Sequence, residues 1–423
     1  EFLRQGHEVH VFTHHSNPEK PEYFVKEYNL DGIDVYSVNY NYKNVDAFEK
    51  TYNNTTIDGL FEDYIKEFKP DFIQFQHLTS LSVNLINVAK QNKFTAIATI
   101  PDYWYLCQRG QLLTNDLKVC SPIDFKNCVQ CYIHQLRSFE SERIQKLKEK
   151  TKFPLLRKIG KKIFKLLPSS NSEESKFQKI IEDRFKFIIS TLNQLDLILA
   201  PSNFLRGIYI KYGIDPNKIV HSDYGFEKSR FEFKEFKKIE YPVKFGFIGT
   251  IIPPKGIHLV IDAFPDKSDT RAKFTVHGIS YPYYNYENYY DDLKKSAKDK
   301  NISFPGEFKN SEVNKLLQEL DILIVPSIWY ENSPLTIHEA FLSGIPVITS
   351  DTGGMAELVK DGYSGFHFKF GNSESLKEVI DKILDNPQIL LELNKNLKSA
   401  TVKDTSEDVS EILNHISQIK KGR

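Results

Sequence analysis

The chain has 423 residues, more than one hydrophobic core commonly serves, so two domains are the starting expectation. Lysine plus arginine and aspartate plus glutamate both number 56, and this zero formal net charge argues against bulk nucleic-acid binding. No run of 18 or more apolar residues occurs, so no stretch reads as a membrane span.

In chain order, EFLRQGHEVHVFTHH reads as the end of a helix closed by Gly6, then a strand at His7–Thr13. A parallel sheet would place a strand before that helix, so the expectation is a chain lacking its first βα unit. Short apolar runs then alternate with helical patterns, the signature of a parallel α/β sheet. Strands are expected at Gly32–Val38, Asp71–Gln76, Thr95–Ile100, Asp196–Ala200 and Lys218–His221. A second series follows at Lys244–Ile248, Lys273–His277, Asn301–Phe304, Asp321–Val325 and Pro346–Thr349. DLILAPS (Asp196–Ser202) and DILIVPS (Asp321–Ser327) echo each other, which suggests two doubly wound domains in tandem. The expected division is residues 1–235, residues 240–405 and a C-terminal helix, roughly Glu407–Ile419, within 406–423. FEFKEFKKIEYP (Phe231–Pro242), charged and without a period, reads as the linker.

An insertion is expected at about 107–193. It holds Cys107, Cys120, Cys128 and Cys131, spaced C-x12-C-x7-C-x2-C. Four thiolates ending in CxxC can enclose a tetrahedral zinc and pin a loop with little core of its own, with His134 as a substitute ligand. Reduced thiols and disulfides are the open alternatives. Downstream, Lys146–Pro168 carries eight lysines, one arginine and one glutamate, a net +8, with Leu155, Ile159, Ile163 and Leu167 on one face. Such a helix either lies on an anionic membrane surface or packs on its own domain with a solvated basic face. SSNSEES (Ser169–Ser175) reads as a flexible joint. SYPYYNYENYY (Ser280–Tyr290) holds six tyrosines, read as an ordered loop and helix start, with sugar or base stacking as the alternative.

KFGFIGTIIPPKGIHLVIDAF (Lys244–Phe264) is a strand, a glycine turn and a helix. Gly249 turns the backbone, and Lys255 and Gly256 sit where the helix begins, so a cation joins unpaired N–H groups at the positive dipole end. A diphosphate is the natural ligand, although the segment is neither a Walker A loop nor a GxGxxG fingerprint. WYENSPLTIHEA (Trp329–Ala340) sets Glu331 and Glu339 on either side of a helix start, with Ser333 as N-cap and Pro334 as first helical residue. The N–H groups of Leu335 and Thr336 then form a second anion site. A carboxylate accepts two hydrogen bonds from a diol, so one acid can hold a ribose and the other a sugar ring.

The segment Ser327–Phe366 resembles the Glu-x7-Glu signature of glycosyltransferase family 4, retaining enzymes of the GT-B fold, and GTIIPPKG (Gly249–Gly256) resembles the same family's phosphate loop. That likeness implies two Rossmann-like domains facing a cleft and a nucleotide-sugar donor, with UDP-, GDP- and ADP-sugars open. It also implies a saccharide or lipid-linked acceptor, with no divalent metal or other cofactor in the chemistry. Lys255 would contact the diphosphate with Gly249, Thr250 and Gly256 around it, and Glu339 would hold the ribose. Glu331, Asn332 and the Ser333–Leu335 backbone, continuing to Thr336, would face the sugar. Gly353 and Gly354 would let the backbone approach the ligand. TIPDYWYLCQRGQ (Thr99–Gln111) resembles the family's His-Asp-x-Trp segment, with Pro101 in place of the histidine. Asp102 and His77 are therefore expected near the reaction centre with Glu331. Thr250 stands where the family carries arginine, and Arg206 or Arg230 could replace that charge. The family's glycine-rich acceptor loop would precede Glu1. The implied setting is cytoplasmic, with peripheral contact at the inner membrane face through 146–168. A non-catalytic nucleotide-sugar binder and a nucleotide-sugar epimerase of the same fold are the alternatives.

Overall fold

Four-residue runs with every side chain buried, LILA at Leu197–Ala200 and ILIV at Ile322–Val325, belong to sheets covered on both faces. The computed structural model that shows them describes residues 1–42, 48–132 and 171–422. The basic stretch 146–168 and His134 lie outside the described residues.

The first half runs β1 (His10–His15), β2 (Val25–Leu30), β3 (Ile33–Asn39), α1 (Thr55–Phe68), β4 (Ile73–Phe75), α2 (Leu85–Gln91), β5 (Ala96–Thr99), α3 (Asn171–Leu192), β6 (Leu197–Ala200), α4 (Asn203–Lys211) and β7 (Ile219–His221). Its strands form two sheets, ordered β1-β3-β2 and β4-β5-β6-β7. Strand β2 is absent from the sequence expectation because its side chains are exposed after the first, leaving no apolar alternation. It pairs antiparallel with β3 through Asp31-Gly32, both at positive φ (51° and 87°), the conformation of a tight hairpin turn. The expected flexible joint at Ser169–Ser175 is corrected too, since residues 171–175 are already helical in α3. Small polar residues followed by Glu173 and Glu174 are helix-start chemistry as much as loop chemistry.

The second half runs β8 (Val243–Ile248), α5 (Ile257–Ala263), β9 (Ala272–His277), α6 (Tyr289–Ser296), β10 (Ile302–Gly306), α7 (Val313–Gln318), β11 (Ile322–Val325), α8 (Leu335–Leu342), β12 (Val347–Ser350), α9 (Gly353–Leu358), β13 (Gly365–Phe368), α10 (Ser373–Asp385) and α11 (Ile389–Leu397). All five strand pairings are parallel, in the order β10-β9-β8-β11-β12-β13. One buried cluster centred on Phe245, Phe264 and Phe274 and a second on Leu323, Ile337 and Val347 pack against this sheet. Phe231–Pro242 has no regular structure but is not loose: Lys234 N–H donates to Ser343 O (3.0 Å) and Phe236 N–H to Asn394 Oδ1 (3.0 Å). Helix α12 (Thr405–Lys421) closes the chain by packing Ile412 and Ile416 against Ile97, Leu197 and Leu199 of β5 and β6. Among the described residues no helix is long and apolar enough to cross a membrane.

Candidate functional site

In the six-stranded sheet the order reverses between β8 and β11, the switch point at whose carboxyl ends open α/β sheets bind ligands. Gly249 leaves β8, and Pro253–Lys255 forms a single helical turn ended by Gly256 at φ 72°. That glycine is needed, since a Cβ there would lie 1.9 Å from Pro326 O. Ile328 N–H donates to Pro254 O (2.8 Å), so the loops after β8 and β11 meet backbone to backbone. Lys255 Nζ consequently reaches Glu331 Oε1 at 2.7 Å. The same oxygen accepts Ser327 Oγ (2.7 Å) and Trp329 Nε1 (2.9 Å). Glu331 is therefore not the open acceptor that its loop position suggests. Its side chain is 8% exposed, and one oxygen is filled by three donors.

The start of α8 also differs from expectation. Pro334 is the N-cap and Leu335 the first helical residue, because Pro334 is held extended at ψ 119°. Among the described residues no side chain caps the helix, so the Leu335 and Thr336 amides keep no intrahelical partner, while Ile337 N–H donates to Pro334 O (3.0 Å). Ser333 does other work. Its hydroxyl donates to Asp223 Oδ1 (2.7 Å), so it accepts the Nε2–H of His338 (2.8 Å). Burial holds the His338 pKa below its ordinary value, opposed by Asp223. Gly353 and Gly354 open α9, and their close approach is to the Glu331–Asn332 backbone. Gly354 N–H donates to Glu331 O (2.8 Å), and a Cβ on Gly354 would fall 1.2 Å from Asn332 O. On the expectation of a nucleotide-sugar site, Gly354→Ala should displace the 331–334 segment and lower turnover about 10²-fold with circular dichroism unchanged.

Glu339 lies a turn inside α8, and burial raises its pKa, partly offset by Arg230. Of the two arginines considered for the missing loop charge, Arg230 is thus the one near Glu339. Arg206 donates its Nε to Ile219 O (2.8 Å) instead. A carboxylate with a raised pKa adds stability below its ordinary value of 4.5 and loses it as pH rises through the raised one. Glu339→Gln should accordingly become more stable relative to wild type as pH rises from the carboxylate range to neutrality, seen in melting temperatures, while nucleotide-sugar affinity falls about 10-fold.

On the first half, His77 follows β4 and Asp102 follows β5. His77 Nδ1 accepts Thr79 N–H (3.0 Å), which leaves the proton on Nε2, 3.2 Å from Asp102 Oδ2. Asp102 Oδ1 accepts Trp104 N–H (2.7 Å). Both ring nitrogens of His77 are engaged, whereas each Asp102 oxygen keeps a lone pair. The halves meet here. Asn332 Nδ2 donates to Pro101 O, and Tyr103 packs edge-on to Trp329 at 6.4 Å. Glu357 of α9 accepts Asn203 N–H (2.8 Å) and Phe204 N–H at the start of α4. Among the described residues the buried Asn332 Oδ1 and Tyr103 OH have no hydrogen-bond partner. Sequence reasoning missed Asp223, His338, Ser327, Trp329 and Glu357. Asp223 carried one usable signal, its place just beyond the carboxyl end of a parallel strand.

The four cysteines line one cavity and are not paired with one another as disulfides, and burial pushes Cys120 and Cys128 up to about 12.

Residues 228–404 match the family model described as glycosyl transferases group 1. An uncharacterized glycosyltransferase of Methanocaldococcus jannaschii is 29% identical over 224 residues, 53% of this chain and 59% of that protein. The chain spans about half the length of the curated relatives it matches. Sucrose-phosphate synthase of Thermosynechococcus elongatus superposes with a TM-score of 0.65 at 14% identity, covering 100% of this chain and 91% of that one. HepE of Anabaena, solved in complex with UDP, superposes with a TM-score of 0.59 at 14% identity, over 91% and 86% of the two chains. The fold is GT-B, two Rossmann-like domains.

Proposed function

We propose that this chain is a retaining, family 4 type glycosyltransferase that moves a hexose from a nucleotide diphosphate to a saccharide or lipid-linked acceptor in glycoconjugate synthesis. The observation that carries this reading is the 2.7 Å meeting of Lys255 and Glu331 where the sheet order reverses. Asp102 lies on the half that meets this one through Pro101 and Asn332. The Lys255 ammonium and the Leu335–Thr336 amides would hold the leaving diphosphate, whose charge grows as the glycosidic bond breaks. Lys255 would then exchange its contact with Glu331 for the phosphate. Glu339 would hold the ribose, and Glu331 and Asn332 would position the sugar beside Gly249 and Gly256. Tyr103 OH and Asn332 Oδ1, buried without partners among the described residues, are groups that sugar hydroxyls would satisfy after local rearrangement.

Asp102 is the base of this scheme and His77 its positioning partner, since His77 has no ring nitrogen left to offer. No divalent cation takes part in this chemistry. The acceptor would lie on the first half, at the cytoplasmic side of a membrane. A uridine donor heads the panel because HepE was solved with UDP.

Thermal-shift titration with UDP-, GDP- and ADP-sugars should single out one donor, followed by nucleoside-diphosphate release. Shifts without release would favour the non-catalytic binder. Anomeric NMR of the product separates transfer with retention from epimerisation.

A further inference from the structure

Four thiols from three local structures line one small cavity. Cys107 N–H donates to Tyr103 O (2.7 Å) and its carbonyl accepts Gly110 N–H (2.8 Å), while Cys120 N–H donates to Leu112 O (2.7 Å). Cys128 and Cys131 stand one turn apart on the helix at 125–132, and so share a face. All four line a cavity of about 20 Å³, which Leu106, Leu112 and Ile123 also line. That is room for one atom-sized guest.

The surrounding charge is the second observation. Arg184 is 3% exposed, donates Nη2 to Trp104 O (2.7 Å) and lies over the Trp104 ring at 5.0 Å. Among the described residues it forms no ion pair, and its guanidinium also lies over the Tyr52 ring at 5.7 Å. Arg109 stands beside Cys131. A buried guanidinium without a carboxylate is costly, and thiolates would supply the missing negative charge.

We propose that Cys107, Cys120, Cys128 and Cys131 form a structural site for a soft, tetrahedrally coordinated divalent cation, zinc first, whose thiolate charge is offset by Arg184 and Arg109. Among the described residues no three ligand-type side chains already stand in metal-holding geometry, so binding draws the sulfurs inward across the cavity. Four S–H bonds break, four metal–sulfur bonds form, and four protons leave to solvent with the water of the hydrated ion. The ion would fix the loop between the first two cysteines. There Arg109 Nη2 and Gln111 Oε1 both meet Tyr283 OH of the second half (3.1 and 2.8 Å), and a Cβ on Gly110 would lie 3.5 Å from Asp102 Oδ2. The site stands independently of the donor reading.

The test uses the full chain purified in reductant. Elemental analysis should find one zinc per chain, and titration of the metal-stripped protein with Co²⁺ alone should give the thiolate charge-transfer and ligand-field bands of a four-sulfur tetrahedral site. Cys131→Ser should lose that spectrum, and Arg184→Met should weaken Co²⁺ affinity about 10- to 100-fold. Because the cobalt titration is done on the wild-type chain, a variant that fails to fold does not spoil it. Metal-free protein with no cobalt spectrum would overturn the proposal, as would mass spectrometry finding the cysteines paired as disulfides in protein purified without reductant and still unable to take metal once reduced.

Discussion

Lys255→Ala is expected to lower nucleoside-diphosphate release from a nucleotide sugar by about 10²- to 10³-fold, the scale for removing one preorganised charge contact to a leaving group. The structure makes a stability cost part of this prediction. Glu331 loses its cationic partner but keeps Ser327 and Trp329 on the same oxygen, so unfolding free energy should drop by only about 1–3 kcal/mol. The two effects separate in the double variant Lys255→Met with Glu331→Gln. There the buried charge is gone, and stability should return toward wild type while turnover stays low. Calorimetric titration with the free nucleoside diphosphate should show the affinity lost in every variant lacking Lys255. Unchanged diphosphate affinity in Lys255→Ala would show that the ammonium serves only Glu331, and the proposed leaving-group contact would be wrong.

Asp102→Asn should cost about 10²- to 10⁴-fold in turnover, the range for a general base, with donor affinity nearly unchanged. The amide keeps the shape and can still accept Trp104 N–H through its oxygen, so the turn after β5 should survive. His77→Gln should cost much less, about 10-fold, because it removes a positioning contact and not the base. This ordering is the discriminating result. If His77→Gln were the more damaging change, the imidazole would have to break with Thr79 or Asp102 during the reaction, contrary to its hydrogen bonding here. A pH–rate profile adds a readout that a structural role would not move: loss of the acidic limb in Asp102→Asn.

Much of this architecture was readable before any coordinates. Buried four-residue strands, the Pro-Ser stops after Ala200 and Val325, and the glycine turns at Gly249 and Gly256 are local signals. They are enforced by backbone sterics and by which side chains a covered sheet tolerates. Strand β2 escaped because its exposed side chains leave no apolar period, and only its Asp31-Gly32 turn announced it. The resemblance of Ser327–Phe366 to a known signature singled out the residues of the proposed donor site, since that motif lies within one βαβ stretch.

What the sequence alone determined, then, is the succession of layers and the loops that carry Lys255, Glu331, Glu339 and Asp102. Only the tertiary structure decided what each polar atom does. Three donors share one oxygen of Glu331, His77 spends both nitrogens, and Ser333 answers to Asp223, 110 residues earlier. The reason is physical: periodicity and turn chemistry act over a few residues, whereas a lone pair is filled by whichever donor the packing of distant segments brings within about 3 Å.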